Sequence, residues 1–307
     1  MSLPLEITNL RKAYKGGTVE AVKGVSFTVN PGEIFGLLGP NGAGKTTIIS
    51  TITTLEKPSD GSVKVFGTEV SEDPMFTKKQ IGVVHQEVIN SGFFDVEEIL
   101  TFHSGYYGIR NNKERIHYLL QKLSLFEHRN KKVKQLSGGM KRRLMIAKAL
   151  VHTPRLLLLD EPTAGVDIGL RENLWRFVEE LRDGGMSILL TTHYLEEAEQ
   201  LCDRVGIINS GALVALGNTK EIIRQYSHKR IRVTLSAKHE VVTPYLVETV
   251  GEEYLFAVPS NKALGEFLSE VGIPTALIKD IQIEEGDLEE AFLKIVSQKH
   301  GSAQVSP

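Results

Sequence analysis

The run Gly39, Pro40, Asn41, Gly42, Ala43, Gly44, Lys45, Thr46 and Thr47 has the makeup of a phosphate cradle. It fits the pattern G-x-x-x-x-G-K-[ST] through Gly39, Gly44, Lys45 and Thr46. Glycines let backbone N–H groups turn inward as an anion nest. Lys45 suits the β- and γ-phosphates, and the Thr46 hydroxyl suits Mg²⁺. A second constellation, Leu156-Leu-Leu-Leu-Asp160-Glu161, ends an apolar run in two carboxylates. Asp160 suits Mg²⁺, through water, while Glu161 suits the water that attacks. Alone, such a run reads equally well as a core strand with a solvated end. The phosphate loop upstream and Pro162-Thr163 behind it favour the catalytic reading.

The flanking elements are those such residues need. Ile34–Leu38 reads as a buried strand, the glycine loop follows at once, and a helix is expected over 46–54. Strands are also expected at 3–10, 19–29, 61–67 and 81–85. Residues 95–126 read as mostly helical, with Leu119, Leu120, Leu123 and Leu125 forming an apolar stripe. Ser137 precedes a helix from Gly138 to about Val151, which Thr153-Pro154 stops. Leu156–Leu159 and Ser187–Thr191 read as central strands, with helices over 169–182 and 194–201. A hairpin is expected around Asn209-Ser-Gly211. Buried strands alternating with helices imply a partly parallel α/β core, with an antiparallel sheet made by the opening strands.

Around residue 226 the character changes. Strands are expected at 231–235, 246–250, 254–258 and 278–283, and helices at 220–225, 262–271 and 288–297. Residues 1–225 thus read as a nucleotide-binding domain, 226–298 as a small α+β domain and 299–307 as a frayed polar tail.

Composition bounds the rest. The chain has 307 residues, 41% hydrophobic and 24% charged, with a net charge of −2. No global basic field favours nucleic acid or anionic lipid. The runs His128–Lys134 and Lys141–Arg143 read as solvated basic faces. One cysteine, Cys202, excludes an internal disulfide and reads as a small buried hydrophobe. Neither a signal peptide nor a run of about 18 apolar residues is visible. The expectation is a cytoplasmic chain that reaches a membrane only through a partner.

Taken as a set, these segments resemble the ATP-binding cassette (ABC) transporter ATPases. Leu136-Ser-Gly-Gly-Met140 resembles the family signature, with Met140 where glutamine is usual. The resemblance covers about residues 3–225 and implies a phosphate-loop ABC ATPase core: a mixed sheet with helices, an antiparallel β subdomain and a helical signature subdomain. It implies that Tyr14 stacks on adenine, that Gln86 senses the γ-phosphate through Mg²⁺, and that His193 contacts the γ-phosphate. It implies that Ala164-Gly165-Val166-Asp167 crosses between subunits. Ser137, Gly138 and Gly139 start a helix, so they form a second anion site. In this fold that site lies too far from its own phosphate loop to close on it. Two chains head to tail, each signature closing on the other's ATP, solve the geometry. Met140-Lys-Arg-Arg143, Thr191–Ala198 and Asp287–Leu293 resemble the ABC-2-type exporter branch, which implies a separate integral-membrane permease. His85 stands where a proline is common and suggests no mechanism. Phe93-Phe94 reads equally as core or as a docking groove for that permease.

A soluble ABC ATPase of translation, DNA or assembly is the alternative. Ribosome-acting members resemble two cassettes on one chain. Chromosome members carry a long coiled coil where here about 90 residues without heptads intervene. A GTPase reading lacks the Asn-Lys-x-Asp motif. A silent scaffold is disfavoured by intact Lys45, Asp160, Glu161 and His193.

Overall fold

The computed structural model describes residues 2–86, 92–163 and 168–301. In chain order its first elements are strands β1 (Leu5–Tyr14), β2 (Val19–Val29) and β3 (Ile34–Leu38), then helix α1 (Lys45–Ile52). Strands β4 (Asp60–Val65) and β5 (Thr68–Glu69), helix α2 (Pro74–Gln80) and strand β6 (Ile81–Val84) follow. Helices α3 (Val96–Tyr106), α4 (Lys113–Lys122) and α5 (Gly138–Leu150) come next, then β7 (Leu156–Asp160) and α6 (Ile168–Asp183). Strand β8 (Ser187–Thr192), helix α7 (Leu195–Leu201), and strands β9 (Arg204–Asn209) and β10 (Ala212–Asn218) complete this stretch.

The central sheet has the order β10-β9-β3-β8-β7-β6. From β9 through β6 the pairs are parallel. β3, β7 and β8 are buried at every position. That is why their sequences are unbroken apolar runs rather than alternating ones. Their register decides the chemistry. Leu38 lies beside Thr192, Asp160 beside Thr191, and Val84 beside Leu159. The strands therefore end level, and the residues after each emerge at one edge, where ligands of open parallel sheets bind. Those residues are the glycine loop after β3, Gln86 after β6, Glu161 after β7 and His193 after β8.

An antiparallel sheet of order β2-β1-β4-β5 shares its core with α1 and the central sheet. Ile48, Ile49 and Ile52 of α1 lie in that core, and the Phe27 and Phe35 rings stack at 4.9 Å. β1 runs on to Tyr14, past the Leu10 at which the expected strand stopped. α3, α4 and α5 pack on one another. Asp95 and Glu98 cap α3 reciprocally, and the Ser137 hydroxyl accepts from Met140 N at the start of α5.

The chain divides into compact units 1–216 and 217–307. The second holds helix α8 (Thr219–Tyr226), strands β11 (His228–Leu235), β12 (Leu246–Val250) and β13 (Glu253–Pro259), helix α9 (Leu264–Val271), strand β14 (Ile278–Glu284) and helix α10 (Leu288–Gly301). Its sheet, β12-β13-β11-β14, is antiparallel and encloses Ile231, Val233, Phe256 and Phe267. Two boundaries differ from those read from the sequence. The division falls before α8 rather than after residue 225, because α8 packs on α10. α10 also continues past 298 into the expected tail.

Leu158, fully buried in β7, is packed in the central core. Leu158→Ala is expected to cost about 2–5 kcal/mol, read from the urea midpoint of the first unit.

A candidate nucleotide site

The site begins at the end of β3. Ala21, Asn41, Gly42, Gly44, Lys45, Thr46, Thr47, Gln86 and Glu161 line a cavity of about 280 Å³. Two glycines of the loop are geometrically required. A Cβ at Gly39 would stand 2.3 Å from Ile208 O, and one at Gly44 2.6 Å from Ala21 O, where φ is also +108°. Gly44 is the N-cap of α1. Lys45 is buried, and its Nζ donates to Gly39 O (2.7 Å) and Pro40 O (3.2 Å). Ala43 N donates to Pro40 O, and Gly211 N to Ala43 O, so the loop is braced from the β9–β10 turn. Burial pulls the Lys45 pKa down, while Glu161 and Asp160 oppose that shift.

Glu161 is the centre of the cavity wall. It is 5% exposed. Gln86 Nε2 donates to its Oε2 at 2.8 Å. Its Oε1 lies 3.1 Å from His193 Nδ1 and 3.8 Å from Lys45 Nζ. Residues from four segments thus meet at one carboxylate. Its backbone is in the left-handed region, φ +49°, with its N–H donating to Thr191 O. For a non-glycine residue such a conformation is strained and persists only where surroundings over-determine it. Asp160 is buried beside it, accepting from the Thr191 hydroxyl.

The other expected site residues fall in three places. Tyr14 sits half-buried at the end of β1, with Lys12 Nζ 4.9 Å from its ring centroid, and does not line the cavity. Ser137 and Gly138 are exposed at the start of α5, and with Gly139 they also lie outside the cavity lining. Asp167, with 164–166, lies outside the described residues. Cys202 is buried, as expected.

Arg142 corrects the sequence reading. Within Lys141–Arg143, read as a solvated face, it is only 4% exposed. Its guanidinium donates to the carbonyls of His85, Gln86, Asp160, Glu161 and Pro162. Arg143 is half-buried and donates to Leu123 O. The available signal was periodicity: Arg142 shares the helix face of Met145, Ile146 and Ala149, all buried.

Comparison with known proteins decides the family. A family model described as "ABC transporter" matches residues 22–164. The linearmycin resistance ATP-binding protein LnrL of Bacillus subtilis (strain 168) is 34% identical over 310 residues, covering 96% of this chain and 98% of that protein. The chain belongs to the ABC transporter ATPase family. The daunorubicin/doxorubicin resistance ATP-binding protein DrrA of Streptomyces peucetius is 39% identical over 75% of this chain and 70% of that protein. A solved structure described as "Structure of ATP binding subunit of ABC transporter" matches with a TM-score of 0.68 at 30% identity, over 73% of this chain and 93% of that one. An ABC ATPase binds and hydrolyses ATP.

Gly44→Ala puts a side chain against Ala21 O at a strained φ. A cost of about 1–3 kcal/mol, borne by the loop in its binding conformation, predicts roughly five- to 150-fold weaker nucleotide binding. Titration with a fluorescent ATP analogue checks this, and undiminished affinity would contradict the assignment of the loop.

Proposed function

We propose that this chain is the ATP-hydrolysing subunit of an ABC-2-type exporter, energising a separate membrane permease through ATP-driven closure of a dimer. The observation that carries the reading is the convergence of Lys45, Gln86 and His193 on Glu161 beside the cavity that the glycine loop lines. Backbone N–H groups of the loop and Lys45 hold the β- and γ-phosphates. Phosphate oxygens offer the buried ammonium stronger, charged acceptors than the two carbonyls it now meets. Glu161 accepts the proton of the attacking water, with Gln86 and His193 fixing its orientation. His193 is poised to donate to the γ-phosphate. Tyr14 supplies the adenine stack.

Thr46, Gln86 and Asp160 offer a hydroxyl, an amide and a carboxylate, the oxygen donors a hard divalent cation takes. They would hold Mg²⁺, which when bound neutralises charge on the phosphates.

Ser137, Gly138 and Gly139 stand at a helix N-terminus away from the cavity, which supports their acting on a second copy's ATP. Asp167 would then cross between the two chains. For the permease, the supporting feature is apolar surface in the stretch that follows Gln86 in the chain. Phe93 is 84% exposed, and Phe94, Phe102 and Tyr106 are exposed too. A separate groove of about 400 Å³ is lined by Leu55, Ile81, Val83, His85, Tyr107 and Met145, among others. His85 faces that groove while its neighbour Gln86 binds the carboxylate, so pressure there bears on the site. Among the described residues no helix is long and apolar enough to cross a membrane, which supports a separate permease. LnrL and DrrA are named as resistance ATP-binding proteins, which supports a part in resistance for this chain. The C-terminal unit is proposed as an accessory domain.

Glu161→Gln removes the proton acceptor and keeps the shape. It is expected to leave ATP binding intact, reduce turnover by at least about a hundredfold, and trap an ATP-dependent dimer visible by light scattering. Turnover like that of the native chain would remove Glu161 from the role of base.

A further inference from the structure

The guanidinium of Arg142 uses all of its donors on main-chain carbonyls. Nε donates to Pro162 O (2.9 Å), Nη1 to His85 O (2.5 Å) and Gln86 O (3.0 Å), and Nη2 to Asp160 O (2.9 Å) and Glu161 O (2.6 Å). Five N–H groups meet five acceptors, which is the full capacity of an arginine. No carboxylate directly pairs with it among the described contacts. A buried charge is expensive unless every donor is satisfied. Here carbonyl dipoles satisfy it, and the charges of Asp160, Glu161 and Glu197 oppose the cost of its burial. Surface ornament would not be built this way.

The five acceptors are not arbitrary. They belong to two of the segments that meet at the site: the end of β6 with Gln86, and the end of β7 with Asp160, Glu161 and Pro162. Glu161 is also the residue held at φ +49°. Arg142 binds its carbonyl and those of the residues on either side, so it over-determines the strained turn. The donor itself lies in the first turns of α5, the helix that opens with Ser137 and Gly138.

We infer that Arg142 is a positioning residue for ATP hydrolysis: it locks Gln86 and Glu161 to each other through their main chains and ties both to the helix that carries the signature. A displacement of α5 then moves the glutamine and the carboxylate together. The ATP cradle itself is not held by Arg142, so binding and turnover are separable.

This inference rests on Glu161 acting in hydrolysis, and the experiment separates the two. Arg142→Lys keeps the charge but has three donors in place of a planar five, while Arg142→Met removes both. Arg143→Lys, on the same helix, is the control. Each is compared with the native chain for kcat, KM, ATP-analogue affinity and melting temperature. For Arg142→Lys, kcat is expected to fall by about ten- to a hundredfold with ATP affinity changed less than about threefold. Arg142→Met falls further, and Arg143→Lys leaves both unchanged. An unchanged kcat in Arg142→Lys overturns the inference. So does a loss of kcat and affinity in step with the melting temperature, because that is a purely structural role. A native chain without ATPase activity overturns the functional reading instead. If Arg142→Met does not fold, Arg142→Lys carries the test.

Discussion

The candidate site is built around one carboxylate held from several sides. Glu161 is nearly sealed from solvent, yet it touches Gln86, His193 and Lys45, each from a different segment. None of those segments is near another in sequence. They meet because β3, β6, β7 and β8 run parallel and end in register. A shift of the β7–β8 pairing would carry Asp160 away from Thr191 and Glu161 away from His193. The buried apolar strands are therefore what aims the site, and the hydrophobic effect that fixes their register also fixes the distances.

The same carboxylate explains why strain is tolerated there. A left-handed Glu161 turns the chain sharply after β7 and presents its side chain to the cavity. The strain is offset by an N–H bond to Thr191 and by a guanidinium that gathers the surrounding carbonyls. In the proposed hydrolysis, pre-organisation of this kind would leave little to reorganise when charge develops on the phosphate.

Much of this was legible in the sequence, for physical reasons. A phosphate cradle needs glycines at fixed spacing, and Gly39 and Gly44 indeed leave no room for a Cβ. Doubly buried parallel strands must be uninterrupted apolar runs, so β3, β7 and β8 were visible. Arg142 was not, because a cationic triplet on a helix normally faces water. Helix periodicity places it on the face of Met145, Ile146 and Ala149, but the five carbonyls that make its burial possible come from distant segments, which periodicity does not show. The division of the chain was misplaced by one helix for a similar reason. The partner of α8 is α10, some 60 residues later, and a local change of composition does not reveal a distant contact. β5 and α2 were missed as well, being short elements with weak periodicity.

We propose that this site is half of a functional unit. The cradle and the carboxylate face one cavity, while Ser137 and Gly138 are displayed elsewhere. The most direct measurement mixes two inactive variants, Lys45→Ala and Ser137→Ala, and follows ATP hydrolysis. In a mixed dimer one site carries both lesions and the other carries none, so mixing should restore about a quarter of the native rate. If the mixture gives only the average of the two inactive chains, each chain works alone and the claim is wrong.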